Sequence, residues 1–446
     1  MKRTLPNLSV CLALLSLLAA CADEKDTSIA ECNLETCSDK CLDLAGPDCD
    51  VLRASCQQRI FEAVSCVRGG GGKLAEIRVL TEEELRAESA DAGLEGGVDS
   101  AVAEVGADGG LAAEPEPVDR TIHWDTALRL LGLRIPESST DKLDYVGGYY
   151  DREDGRVTLV DRGLPQHSAS SQMLLAHELV HSLQDQRMGL TELSRNTGRS
   201  TDAMLALGCL TEGEADLYEQ LAWTLLQGLS LDQPSWDATL ARNLKFNRDS
   251  VLADDSPYDQ LWLLRYPVGT RFLVDAWLDG GDWSVQSLYE APPVSSAFWM
   301  HGYAASRERT QPLTQILACN VAAKPKGFER SWSDTLGAFG LFAFLGHNLT
   351  DKGVYKAEES WRRALSWRQD HLEVFFGPGD ETALSWRIRF ADEDIAHEVA
   401  KELSASTALA LRVKAHGEEI EILASDSTAV LKAWRGTDPK HCPLEE

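Results

Sequence analysis

The chain has 446 residues, with 43 Lys and Arg against 71 Asp and Glu, for a net charge of −28. That length exceeds one average domain, and the middle of the chain is rich enough in Leu, Val and Trp to bury a real core. The acidity argues against nucleic acid as a partner, because phosphates would be repelled, and fits a self-repelling extracytoplasmic protein.

Lys2 and Arg3 form a basic start, and Val10 to Leu18 an apolar stretch too short to span a bilayer in a mature protein. Leu17-Leu18-Ala19-Ala20-Cys21 follows. This run resembles the lipobox of bacterial lipoproteins, in which small residues precede a cysteine lipidated after cleavage. The resemblance implies a signal peptide over 1–20, lipidation at Cys21 and a bacterial cell-envelope protein tethered to a membrane by acyl chains. Ala22 favours the outer membrane.

Of eleven cysteines, Cys11 leaves with the signal and Cys21 carries the lipid. Cys32, Cys37, Cys41, Cys49, Cys56 and Cys66 crowd into a module over 21–68. An even cluster in an oxidising compartment reads as three disulfides, of open connectivity. Within it, Asp50 to Val67 carries an apolar helical stripe. Cys209, Cys319 and Cys442 allow at most one further bridge, leaving one buried thiol. Residues 69–119 open with four glycines and run on in Glu, Asp, Ala and Gly with no aromatic residue. They read as a solvated acidic linker, with one short helix near Glu82 to Ala90.

From residue 120 to 446 the pattern turns globular. Tyr145 to Asp161 reads as a hairpin turning at Glu153-Asp154-Gly155. Its Arg156–Val160 strand is placed to receive an extended peptide along an exposed sheet edge. A helix is predicted over 170–186, capped by Ser170 or Ser171, and a second over 201–229. Further helices are expected around Asp259–Leu278 and Trp332–Leu345. The last region reads as a ββαββ unit: strands Leu372–Phe376 and Ala383–Phe390, helix Asp394–Ser404, strands 408–414 and 418–423. Trp361, Trp367 and Trp386 read as core. The fold class is α+β and mostly helical.

Chemistry concentrates in Ala176-His177-Glu178-Leu179-Val180-His181. Two histidines four apart sit one turn above each other on a helix, so both imidazoles can bind one zinc ion. Glu178, beside the first histidine, can reach a water activated there and act as general base. A third ligand comes from Thr211-Glu212-Gly213-Glu214-Ala215-Asp216, 31 residues beyond His181. Glu212 and Asp216 are four apart, so one can bind metal while the other supports a ligating histidine. Glu214 competes for the ligand role but lies about 200° around the helix from Glu212.

These residues resemble the gluzincin class of zinc metallopeptidases, in which H-E-x-x-H is followed by a helix bearing E-x-x-x-D. The resemblance implies a zincin-like domain with one Zn2+ held by His177, His181 and Glu212, with Glu178 as base and Asp216 behind His177. It also implies a peptide or protein substrate. Ala176 to Gln186 is further similar to a group of bacterial proteins with the pattern H-E-x-x-H-A-L-Q-D-Q. Tyr266-Pro267-Val268-Gly269 and Pro293-Val294-Ser295-Ser296 stand where that group has matching segments. Tyr266, His301 and Tyr303 are candidates for stabilising the charge that develops on an attacked carbonyl. The competing expectation is a non-catalytic lipoprotein with a structural metal site.

Overall fold

A computed structural model of the chain describes residues 41–91, 120–133, 147–163, 168–198, 200–229, 231, 236–254, 256–308, 317, 319, 321–349, 356–406 and 409–438. The signal peptide, Cys21, Cys32, Cys37, residues 92–119 and Cys442 lie outside them. The architecture is α+β, with helices packed around a three-stranded and a five-stranded sheet. No described helix is long and apolar enough to cross a membrane.

Helix α1 (Ala54–Val67) carries the stripe foreseen for the cysteine module. The Cys41–Cys66 and Cys49–Cys56 bridges fasten it. Its buried Ile60, Ala63, Val64 and Val67 belong to the same apolar cluster as Leu179, Leu210 and Phe272. The described part of the module therefore shares an apolar core with the residues that follow. Cys209 is free and buried, while Cys319 is disulfide-bonded.

The expected linker is partly folded. Strand β1 (Glu76–Thr81) pairs in parallel, over its whole length, with the outgoing strand of the hairpin. Helix α2 (Glu82–Asp91) follows and buries Leu85 against Val160. Composition averaged over 51 residues hid the β-forming run Ile77-Arg78-Val79-Leu80.

The hairpin comprises β2 (Gly148–Asp151) and β3 (Arg156–Asp161), and the strand order is β1-β3-β2. This corrects the assignment of Arg156–Val160 as a substrate edge. Strand β3 is central, its backbone groups satisfied on both sides, and the edges are β1 and β2.

Helix α3 (Ala169–Met188) carries the H-E-x-x-H run. Ser168 caps it, earlier than expected, accepting from the Ser171 N–H at 3.1 Å. Gly189 ends it in the left-handed region at φ 65°. Helix α4 (Thr201–Leu226) carries the acidic run. Helix α5 (Arg265–Ser287) begins later than the predicted Asp259 because a short helix, Pro257–Gln260, and a 3-10 turn, Leu261–Leu264, precede it. Helices α4 and α5 cross backbone to backbone. A Cβ on Gly213 would stand 2.4 Å from the Gly269 carbonyl carbon, and one on Gly269 would stand 2.0 Å from the Cys209 oxygen. That contact brings Arg265 and Tyr266 against the residues around Glu212.

The helix expected from Trp332 starts later, after an unforeseen strand. Strand β4 (Glu329–Asp334) comes first, then α6 (Gly337–Asn348). The ββαββ unit follows as β5 (Trp367–Phe376), β6 (Thr382–Phe390), α7 (Glu393–Ala405), β7 (Leu411–His416) and β8 (Glu419–Ser425). Its strands pair antiparallel in the order β4-β5-β6-β8-β7. Trp361, Trp367 and Trp386 are buried, as read from the sequence.

Candidate metal centre

One turn of α3 projects His177 and His181 toward α4. Their Nε2 atoms each stand 3.3 Å from the same oxygen, Glu212 Oε2. The three donor atoms lie within 4.8 Å of one another, so this buried His/His/Glu group could bind a metal ion. The rings meet edge to face, with centroids 4.8 Å apart. The sequence-assigned trio thus converges from two helices.

Each imidazole has a partner at its far nitrogen. His177 Nδ1 lies 3.3 Å from Asp216 Oδ1 and 3.1 Å from Glu219 Oε2. His181 Nδ1 stands 2.8 Å from Gln184 Oε1. A proton on each Nδ1 leaves each Nε2 lone pair facing the shared carboxylate. Asp216 is therefore where the sequence put it, and Glu219 and Gln184 were missed. Both had a signal. Gln184 lies three residues beyond His181, and Glu219 seven beyond Glu212, about two full turns on the same face.

Glu178 is 5% exposed and sits against the hairpin, whose Tyr150 backbone N–H donates to its carboxylate. Burial raises this carboxyl above its ordinary range, despite the opposing pull of His177 and His181. The hairpin is held in turn by α3, because the Tyr150 hydroxyl donates to Asp185 Oδ2 at 2.9 Å. Edge strand β2 and Glu178 are thereby held on one helix.

Glu214 points the other way, as its place on the helix demanded. It is fully buried and receives Arg68 Nε at 2.9 Å, Gln184 Nε2 at 3.0 Å, Gln286 Nε2 at 3.0 Å and the Tyr289 hydroxyl. Burial pushes its carboxyl up, but the Arg68 charge and these hydrogen bonds outweigh that and hold it below the ordinary range. Because Gln184 also bonds His181, an unbroken chain runs Arg68–Glu214–Gln184–His181. The last residue of the cysteine module therefore supports a residue of the metal centre through two intermediates.

Arg265 stands beside the opposite oxygen of Glu212, with Nη1 3.9 Å from Oε1. Tyr266 faces His177 with ring centroids 6.1 Å apart, and burial raises its phenol well above the ordinary range. Tyr303 is turned elsewhere, donating to Asp279 at 3.0 Å and meeting Phe272 edge-on. His301 closes the short helix Ser296–Met300. Of the three candidates for charge stabilisation, Tyr266 is the one against the centre.

No protein-family model, curated protein or solved structure matches the chain.

Proposed function

We propose that the chain is a zinc-dependent peptidase of the gluzincin type. The observation that carries the reading is the meeting of His177 Nε2, His181 Nε2 and Glu212 Oε2 beside a buried Glu178. Two ligands at about 2.0–2.1 Å from a tetrahedral ion stand roughly 3.3 Å apart. Both histidine-to-carboxylate separations are 3.3 Å, which supports a zinc-binding reading of the donor set. Such an ion supplies Lewis-acid polarisation of a peptide carbonyl and lowers the pKa of a water to about 7.

The chain's own residues do the rest. Glu178 takes a proton from the water whose oxygen bonds to the carbonyl carbon. As the C–N bond breaks, it delivers that proton to the leaving nitrogen, giving a carboxylic acid and an amine. Its raised pKa suits a group that must both accept and return a proton. The Tyr150 N–H keeps it from swinging toward the histidines. The free edge of β2, which ends beside Glu178, is suited to align an extended peptide by main-chain hydrogen bonds. Tyr266 is placed to donate toward the developing oxyanion. The lipobox-like leader and the residues before the domain support an envelope enzyme tethered through Cys21, acting on peptides or proteins outside the inner membrane.

The test is metal analysis with a peptide-cleavage assay on Glu178→Gln and Glu212→Ala. Glu178→Gln should keep about one zinc per chain and lose at least a hundredfold in kcat, the contribution of a positioned proton-transfer group. Glu212→Ala should lose zinc itself. A Glu178→Gln protein as active as the wild type would instead leave a structural metal site in a non-catalytic lipoprotein.

A further inference from the structure

Beside the metal centre a small cavity opens between α4, the β2–β3 turn and the start of α5. Arg152, Thr211, Trp262 and Arg265 are among its lining residues. Two arginines thus line one space. Arg265 is 4% exposed, and its Nε is used by the Trp262 carbonyl at 2.9 Å. Its Nη1 stands 3.9 Å from Glu212 Oε1.

Arg152 is the less satisfied of the two. It is half-buried, and among the described residues it makes no hydrogen bond and no ion pair. Removal from water lowers its pKa, the charges of Glu212 and Asp185 oppose this, and the Arg265 charge adds a smaller push downward. Asp185 is already engaged by Tyr150 and the Leu190 N–H. A desolvated arginine without an anion is costly, and two arginines sharing a cavity cost more. With a divalent cation on Glu212, that carboxylate would no longer balance them. The loaded centre then carries an excess of positive charge on this side.

We infer that Arg152 and Arg265 form an anion subsite adjoining the metal centre, which selects peptides bearing a carboxylate next to the scissile bond. The inference rests on the peptidase reading above. Two sources share the chemistry: the free C-terminus of a short peptide and an acidic side chain within a longer one. Arg152 lies one residue past the end of β2, so a strand aligned on that edge would run toward it. The guanidinium fork matches a carboxylate in two-pronged geometry. The about 30 Å³ of room in the cavity holds roughly two water-sized atoms, the size of a carboxylate's two oxygens.

The experiment is calorimetric titration of the zinc-loaded, full-length Glu178→Gln protein, which would bind peptides without cleaving them. One arm compares a peptide acid with its C-terminal amide. The other compares Glu with Gln inside a peptide blocked at both ends. In at least one arm the carboxylate form should bind about tenfold to a hundredfold more tightly, the worth of a charged hydrogen-bonded pair. Adding Arg152→Met should abolish the difference and leave the neutral peptide and the zinc content unchanged. Arg152→Lys should restore part of it. Equal binding of acid and neutral forms in both arms, or a preference that survives Arg152→Met, would overturn the subsite. If the wild type cleaves peptides without any such preference, only this inference falls. If it neither cleaves nor binds any peptide with zinc in place, the peptidase reading falls and takes the subsite with it.

Discussion

Two buried carboxylates organise opposite parts of this molecule, and they solve the same problem differently. Glu214 and Asp370 are both fully buried, and each accepts four or more hydrogen bonds. Glu214 has a guanidinium among its donors and is held below the ordinary carboxylate range. Asp370 receives the Leu336 and Gly337 N–H groups and the indoles of Trp367 and Trp386, all neutral, and burial leaves it above that range. A cation delivered from outside the helix pair makes Glu214 a fixed charge behind the metal centre. Neutral donors make Asp370 a cap for α6 whose charge is not required. The first arrangement ties the cysteine module to the candidate metal centre, and the second joins the start of α6 to the indoles of Trp367 and Trp386.

Arg68→Met should break the first hub most severely. It strands a buried charge, at a cost of about 3–5 kcal/mol in denaturant unfolding. The double change Arg68→Met with Glu214→Leu should recover much of that stability but not all of the zinc affinity, because Gln184 then loses one of its two acceptors and keeps only the Thr211 carbonyl. Asp370→Asn should lower stability and leave zinc affinity at the wild-type value. Weaker zinc binding in Asp370→Asn would erase the contrast between the hubs.

Reducing the disulfides tests the same tie more gently. Opening the Cys41–Cys66 bridge, two residues before Arg68, should cost about 2–4 kcal/mol and weaken zinc binding in parallel. A reduced protein that unfolds more easily yet holds zinc as tightly would show that Arg68 keeps its place without the staple.

How much of this was legible in the sequence follows from range. The helix periods place His177, His181, Glu212 and Asp216 on facing surfaces, and the same periods could have added Gln184 and Glu219. Arg68 is 146 residues from Glu214, and no local pattern announces such a pairing. The ββαββ unit was readable because each strand carries its own alternation and turn. Strand β1 was not, because its six residues are embedded in an acidic, glycine-rich stretch and their partner strand lies 80 positions on. Nor could the central place of β3 be seen without β1. That one omission turned an interior strand into an apparent substrate edge.

The second hub belongs to a group of acids whose behaviour with pH should set it apart. Burial, only partly offset by Ser296 and Ser295 and reinforced by Asp370, lifts Asp202 from 3.8 to about 7. Asp334 likewise rises to about 6. Between those values and the ordinary one, the folded chain keeps protons that the unfolded chain releases. Their contribution is therefore greatest in acid and is lost as pH rises through pH 4 to 7, with a slope of at most about 1.4 kcal/mol per unit for each group. Glu214 acts with the opposite sign, its contribution being lost as pH falls. Chemical denaturation across this range should show the acid-side gain, and Asp202→Asn should flatten it. An Asp202→Asn profile parallel to the wild type would mean that Asp202 is ionised in the fold.

The smallest expected effect separates the two histidines. His181 has one amide behind it, tied into the Arg68 chain, whereas His177 has two carboxylates competing for a single Nδ1 proton. Losing one of two acceptors should matter little, since the other already lies within hydrogen-bonding distance. Asp216→Asn and Glu219→Gln should therefore each weaken zinc binding by less than about tenfold, measured by competition with a chelator of known affinity. The double variant should lose about 10–100-fold, the usual worth of a group that orients a metal ligand. If Asp216→Asn alone matches the double variant, Asp216 is the sole orienting partner and Glu219 only shields the site. If Glu219→Gln alone does so, the E-x-x-x-D pattern has named the wrong acid, and the helix turn after it carries the support.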